Sequence, residues 1–175
     1  MSNFFTNFDF QNFWDNDDYS EKEYIGAPAT NSMIQEVESE LGYKLPQSYI
    51  DFIKHQNGGM PINTCYRMNE PTSWSDDHIA ITGIYGIDKN KPSSLCGEFS
   101  STFWIDEWGY PNIGIYFCDC PSAGHDMICL DYTNCGQNGE PTVVHIDQEF
   151  EYKKTFVAQD FETFIRGLEH DDNFE

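Results

Sequence analysis

The side chains best suited to chemistry in this sequence are thiols and imidazoles that follow residue 117. Cys118 and Cys120 lie two residues apart, and His125 and Cys129 follow closely. Such groups could bind zinc or form a thiol–imidazole pair for nucleophilic attack. The spacing is not the paired C-x-x-C of a zinc ribbon, and alternating cysteines in an aromatic strand are commonly core residues. We interpret them as structural and keep a small Cys/His metalloprotein or hydrolase as an alternative.

Motifs for other catalytic chemistry are missing from the sequence. It contains no GxxxxGK[ST] phosphate loop, no G-x-S-x-G nucleophile elbow and no H-E-x-x-H metal pair. The paired carboxylates at 76–77, 106–107 and 171–172 are adjacent in sequence, not placed to share a proton or a metal. The sequence therefore predicts a protein that is not an enzyme and that uses no metal or other cofactor.

One acidic pair has neighbours that suit protein binding. Asp106 and Glu107 lie between Trp104 and Trp108, and aromatic anchors beside acids could form a hot spot against Lys or Arg of a partner. The alternative is that these tryptophans plug the core beneath a loop. The candidate partner-binding residues come from two acidic and aromatic segments: Asp76, Asp77, Trp104, Asp106, Glu107 and Trp108.

Charge is the strongest compositional feature. The 175 residues include 30 acidic side chains against 9 Lys plus Arg, which gives a formal net charge of −21. Such a field repels phosphate backbones and anionic lipids, so we expect no binding to nucleic acid or membranes. The charge favours a basic protein as the partner. The alternative is that an acidic surface only keeps the protein in solution.

Length, hydropathy and aromatic content indicate one folded domain. A chain of 175 residues fits one domain, and its 16% of aromatic residues is typical of a packed core. The sequence has no apolar run of about 18 residues and no basic, cleavable leader. We therefore predict a cytoplasmic protein whose six cysteines are reduced thiols.

Residues 33–59 predict two short amphipathic helices that organise the rest of the chain. Ile34, Val37 and Leu41 share one face of the first helix, and Gly42 suits a left-handed C-terminal cap. Pro46 fits the first turn of the second helix, because its missing N–H would be unpaired there in any case. The NGG sequence at 57–59 ends that helix.

Strands are predicted for the middle of the chain, at residues 61–68, 78–87, 113–118, 126–132 and 143–146. Residues 99–109 predict a short helix or an irregular lid. The spacing of Phe161, Phe164, Ile165 and Leu168 predicts a C-terminal helix. Helices at both ends with strands between them indicate an α+β, mostly antiparallel domain over residues 30–169.

The two termini lie outside this predicted domain. Residues 1–29 form a Phe- and Asp-rich extension, and residues 170–175 an acidic tail. The phenylalanines are too many for a solvated arm, so we expect the extension to pack partly on the domain. The alternatives are a disordered acidic arm and an aromatic arm that packs on a second copy; a monomer and a homodimer are equally compatible with the sequence.

The helix pair carries a resemblance to a known family. LG at 41–42, LP at 45–46, Tyr49 and NGG at 57–59 resemble the opening signature of the SUKH superfamily, which includes the fungal Smi/Knr cell-wall regulators and many bacterial toxin-immunity proteins. The GHD turn at 124–126, the MICLDY sequence after it and the FETFI helix at 161–165 resemble later landmarks of that family. The resemblance covers about residues 30–169.

The resemblance implies both a fold and a function. The fold would have an N-terminal helix pair, a central curved, mostly antiparallel sheet and a C-terminal helix. The function would be that of an immunity protein that neutralises a cognate polymorphic toxin, often a nuclease. The alternative within the family is a regulatory scaffold of the cell-wall assembly regulator type.

Overall fold

Two antiparallel sheets form the framework of the molecule in the computed structural model, which describes residues 3–174. The strands are β1 (Cys65–Arg67), β2 (His78–Ala80), β3 (Gly83–Ile84), β4 (Gly114–Asp119), β5 (Asp126–Asp131), β6 (Thr142–Asp147), β7 (Lys153–Ala158) and β8 (Leu168–Glu169). Five strands pair in the order β3-β4-β5-β6-β7, and three pair in the order β2-β1-β8. Bulges interrupt the β4–β5 and β6–β7 pairings and bend the larger sheet.

Helices precede, interrupt and follow these strands. They are α1 (Asp18–Glu23), α2 (Asn31–Leu41), α3 (Gln47–His55), α4 (Ser101–Trp108) and α5 (Phe161–Arg166), with 3-10 turns at Gln148–Phe150 and Asp171–Asn173. The Thr30 hydroxyl accepts from the backbone N–H of Met33 to start α2, and Gly42 ends it with φ +80°. Pro46 stands directly before α3. The predicted α+β fold class is confirmed.

The larger sheet separates two apolar clusters. Alternate residues of β4, β5 and β6 point to opposite faces, so Ile115, Ile128 and Val143 join the main core with the apolar residues of α2, α3 and α5. On the other face, Met127 and Val144 join a second cluster that contains the aromatic residues of α4. The predicted segment 99–109 therefore contains a helix, α4, which covers one side of the sheet.

The N-terminal segment contributes to the main core. The Phe5 ring is 6% exposed and lies 5.5 Å from the ring of Phe52 and 6.3 Å from that of Phe161. The backbone N–H of Phe5 donates to the Glu162 carboxylate at 2.9 Å. Further along the segment, Tyr24 is 1% exposed. Residues before the helix pair thus pack against both α3 and α5.

Several predicted elements differ in extent. The predicted strand at 78–87 is divided into β2 and β3. The Tyr24 ring packs so close to Gly83 that a Cβ there would lie 2.2 Å from it, so only glycine fits at this position. The C-terminal helix ends at Arg166, and Leu168 belongs to β8. The tail folds back, with the Phe174 ring 4.5 Å from the His78 ring. Across residues 3–174, none of the helices has the length and apolar character needed to cross a membrane.

Candidate partner-binding surface

The sequence-predicted binding residues divide between surface and core. Asp76 and Asp77 are exposed in the loop before β2, and Asp106 and Glu107 are exposed on α4. Trp104 is only 8% exposed, and its indole N–H donates to the backbone carbonyl of residue 99 at 3.1 Å and to a tyrosine hydroxyl at 3.2 Å. For Trp104 the structure therefore favours the packing interpretation.

The loop that carries Asp76 and Asp77 is attached to the larger sheet. The backbone N–H and hydroxyl of Ser73 both donate to the Asp147 carboxylate, at 2.9 and 2.7 Å. Asp147 is 1% exposed and ends β6. At the far end of the loop, the hydrogen bond from the His78 ring at 2.7 Å lowers the pKa of Asp77. The backbone carbonyl of Asp77 also accepts from the backbone N–H of Met68 at 2.9 Å, so the loop is anchored on both sides of Trp74.

A buried pair fixes the neighbouring turn at 121–125. Asp126 pairs across the sheet with Asp147, and its carboxylate lies 2.7 Å from Nε2 of His145. Both side chains of the Asp126–His145 pair are almost completely buried. The Ser122 hydroxyl donates to the same carboxylate and accepts from the Asp126 backbone N–H. Two adjacent aspartates therefore hold the loop and the turn side by side, because a buried carboxylate must be paired or hydrogen-bonded.

Two exposed aromatic side chains stand over this anchoring network. Trp74 is 40% exposed and Phe150, at the end of the 148–150 turn, is 57% exposed. Both line a hollow of about 430 Å³, together with the turn residues Ser122 and His125 and with Glu149. We call this area the Trp74–Phe150 surface. Exposed aromatic residues on a fixed framework are what protein-binding hot spots use.

The end of α4 adjoins the same area. The Trp108 ring lies 6.1 Å from the His125 ring in an edge-on arrangement. Gly124 has φ +93°, and a Cβ there would come within 2.7 Å of the Trp108 ring. Tyr152 donates a hydrogen bond to the backbone carbonyl of Trp108. The turn at 121–125 therefore contacts Trp108 at the end of α4 and lines the hollow together with Trp74.

Sequence reasoning missed Trp74, His125 and Phe150 as surface residues. The signal for Trp74 was its position among Ser, Thr and Pro in a loop, where no apolar face calls for a tryptophan. Phe150 follows a strand and stands between two glutamates, so its exposure was also visible in the pattern. His125 lies 2.6 Å from the Glu149 carboxylate, a contact across two loops that no local pattern reveals.

The structure keeps the cysteines of the alternative metal site apart. Cys118 belongs to the main core, and Cys129 to the cluster on the other face of the sheet. Burial raises the pKa of both thiols and of Cys120 well above its usual range, which disfavours the thiolate that binds metals. Among residues 3–174, the group whose donor atoms could meet at a metal is His170 with the two following aspartates, all exposed and without a cysteine.

Comparison with known proteins agrees with this fold. The family model described as SMI1 / KNR4 family (SUKH-1) matches residues 28–167, from just before α2 to just after α5. The chain is also similar to the SPbeta prophage-derived uncharacterized protein YokK of Bacillus subtilis (strain 168), with 28% identity over 156 residues that make up 79% of this chain and 74% of that protein. Since the family model spans well over half of its residues, the chain belongs to the SMI1/KNR4 (SUKH-1) family.

Proposed function

We propose that the protein is a non-enzymatic, cytoplasmic immunity protein that neutralises a cognate toxin, a basic nuclease-type domain, by binding to it. The observation that carries the proposal is the Trp74–Phe150 surface, where exposed aromatic rings stand on a rigid, hydrogen-bonded base in a protein of net charge −21. Membership of the SMI1/KNR4 family supports the proposal, because the SUKH superfamily that this sequence resembles includes bacterial immunity proteins.

The charge explains how such a partner would be found. A domain that cuts nucleic acid needs a positively charged cleft to hold the phosphates. This protein, with its net charge of −21, would be attracted to that cleft over several ångströms. The association rate would fall as salt screens the attraction. The exposed acids Asp76, in the loop of Trp74, and Asp106 and Glu107, on α4 next to Trp108, would face the basic cleft.

The aromatic rings would supply the short-range affinity. Trp and Tyr dominate binding energy in most interfaces, and Phe is also enriched there, whereas rim charges chiefly tune rate and salt dependence. Trp74 also borders a second hollow of about 500 Å³ that contains Ile62 and Phe174. The aromatic surface can therefore extend from the turn at 121–125 to the small sheet.

The first experiment captures the partner and tests neutralisation. The tagged protein is used for a pull-down from its native source at low salt, and the bound proteins are released at high salt and identified by mass spectrometry. We expect a basic polypeptide with a toxin domain, whose nuclease activity is inhibited when the protein is added back. Capture of housekeeping enzymes alone would instead favour a regulatory scaffold of the cell-wall assembly type.

The second experiment tests the surface with matched variants. Trp74→Ala and Phe150→Ala should each lower the affinity for the captured toxin by about tenfold or more, which is the loss expected at a hot spot. Phe156→Ala is the matched control, because Phe156 is 58% exposed on β7 while Phe150 is 57% exposed. Equal effects of all three substitutions would overturn the assignment of the surface.

Reversal of the acidic residues separates steering from contact. The double variant Asp106→Lys, Glu107→Lys should slow association at low salt and leave the thermal midpoint unchanged, because both residues are exposed. An unchanged association rate would remove α4 from the binding surface even if the immunity function stands.

A further inference from the structure

A smaller hollow lies between α2 and the segment 87–96, and both apolar and charged side chains line it. Its volume is about 250 Å³. Val37, 4% exposed, and Ile87, 2% exposed, supply apolar walls, and Met33 and Cys96 line it as well. Pockets for drug-sized ligands measure roughly 300–1,000 Å³. The hollow therefore has room for one side chain or a small fragment.

Three carboxylates and one ammonium line the same hollow. The Lys89 ammonium lies 2.9 Å from the Glu36 carboxylate, so these two charges compensate each other. Asp88 accepts from the backbone N–H groups of Ala27 at 2.9 Å and of Asn90 at 3.0 Å. Those donors are neutral, so Asp88 keeps its negative charge within the lining, and Lys91, which lies outside the lining, offsets part of it.

Glu40 is the carboxylate best placed for a ligand. It lines the hollow with Cys96, and burial, followed by the influence of the Glu40 carboxylate, raises the pKa of the Cys96 thiol above its usual range. The neutral thiol leaves the charge of Glu40 in place, and the Lys89 ammonium, which is paired with Glu36, offsets it only in part. With Asp88, the hollow carries an excess of two negative charges beside an apolar floor.

We propose that this hollow binds the side chain of one arginine from a basic protein partner. The aliphatic part of the arginine would lie along Val37 and Ile87, as long basic side chains commonly do on apolar surfaces. The guanidinium would donate to Glu40 and Asp88. Arginine suits the site better than lysine, because its planar, weakly hydrated group offers several donors and loses less on leaving water. The identity of the partner rests on the proposed immunity function; the binding chemistry does not.

The test uses a probe with neutral ends and needs no toxin. The full-length, ¹⁵N-labelled protein is titrated with N-acetyl-arginine amide, and its amide signals are followed by NMR. We expect saturable shifts confined to the signals of α2 and residues 87–96. N-acetyl-citrulline amide has nearly the same shape without the charge, and it should bind about tenfold more weakly, since a charge-assisted hydrogen bond is lost.

Two variants distinguish binding of the probe at the hollow from non-specific attraction to the negative charge of the protein. Glu40→Gln should weaken the arginine probe about tenfold. Glu98→Gln, which removes the same charge from an exposed residue outside the lining, should leave the affinity unchanged. Shifts spread over the whole surface, equal binding of the citrulline probe, or an unaffected Glu40→Gln would each overturn the proposal.

The outcome can be separated from that of the immunity proposal. If the arginine probe binds at the hollow but no toxin is captured, the site stands and the immunity function fails. If a toxin is captured and Glu40→Gln neutralises it as well as the original protein does, with no specific arginine binding, the function stands and this site fails. Unchanged far-ultraviolet circular dichroism of Glu40→Gln confirms that the variant is folded.

Discussion

The contact between Tyr24 and Asp119 makes a prediction about stability and pH. The Tyr24 hydroxyl lies 2.7 and 2.8 Å from the two carboxylate oxygens of Asp119, and the backbone N–H of Gly83 donates to the same group at 3.2 Å. Burial nevertheless outweighs these hydrogen bonds and raises the pKa of Asp119 from 3.8 to about 6. The folded protein therefore holds this proton more tightly than the unfolded chain does.

The raised pKa fixes both the sign and the size of the effect. At a pH well below 3.8 the carboxyl is protonated in both states, and its contribution to stability is complete. As the pH rises towards 6, the unfolded state loses the proton first, so the contribution of Asp119 declines. A rise from 3.8 to about 6 corresponds to at most about 3 kcal/mol at 1.36 kcal/mol per pKa unit.

The variant Asp119→Asn isolates this contribution from those of the other acids. Asparagine cannot ionise and still offers an acceptor to Tyr24. The free energy of unfolding of both proteins is measured by urea titration between about pH 4 and about pH 7.5. We expect the stability of the variant relative to the original protein to increase by up to about 3 kcal/mol over this range, with most of the change between the two pKa values of 3.8 and about 6 and a plateau above the upper one.

A second variant checks the cause. Tyr24→Phe removes the hydrogen bond that lowers the Asp119 pKa, so the transition should move to a higher pH. A stability difference between Asp119→Asn and the original protein that is flat or decreases with pH would refute the reasoning. Such a result would mean that the hydrogen bonds from Tyr24 and Gly83 stabilise the charged carboxylate at least as much as burial destabilises it.

Three further predictions concern packing, the buried Asp126–His145 contact and the thiols. Phe5→Ala should lower the free energy of unfolding by about 3–5 kcal/mol in urea titrations, because a buried aromatic ring is removed from the main core; a loss below about 1 kcal/mol would show that the N-terminal segment is not docked. Asp126→Ala should cost about 1–3 kcal/mol by the same assay, because the buried His145 ring and the Ser122 hydroxyl lose their hydrogen-bond partner; a neutral result would contradict that pairing. Under native conditions a small thiol reagent should modify only Cys96 and Cys135, which are partly exposed, and more slowly than free cysteine, because burial raises both pKa values; fast modification of four or more thiols would contradict the packing.

The helix pair could be predicted from sequence because its signals are local. The apolar spacing of Ile34 and Val37 marks the buried face, and Gly42 and Pro46 mark the joint between the helices. Each of these signals spans only a few residues, and the same residues carry the family resemblance. The central strands β4, β5 and β6 of the larger sheet were also predicted, because their runs of β-branched and aromatic residues are bounded by turns, whereas β7 was not predicted.

The divided strands and the binding surface depend on contacts between distant residues. The break after β2 is linked to the approach of Tyr24 to Gly83, 59 positions apart in the sequence and invisible to a window of ten residues. The loop that displays Trp74 is held by Ser73 and Asp147, which are 74 positions apart. Periodicity also could not separate Trp104 from Trp108, because burial of one indole and partial exposure of the other depend on how α4 lies on the sheet.

The acidic residues of this protein have two separate roles, and only one group can be altered without loss of the fold. Four aspartates lie at the ends of the sheet strands, and each is held by donors from another part of the chain. They are Asp119 with Tyr24, Asp126 with His145, Asp131 with Lys154, and Asp147 with Ser73. These donors satisfy carboxylates that burial would otherwise destabilise, so the task of the four aspartates is structural. Exposed acids such as Asp106 and Glu107 lie outside these strand ends, so their removal should change association rate and salt dependence while leaving the unfolding free energy nearly constant. Charge substitutions that weaken binding and stability together would therefore indicate damage to the sheet ends, and those that slow binding alone would trace the surface that the partner approaches.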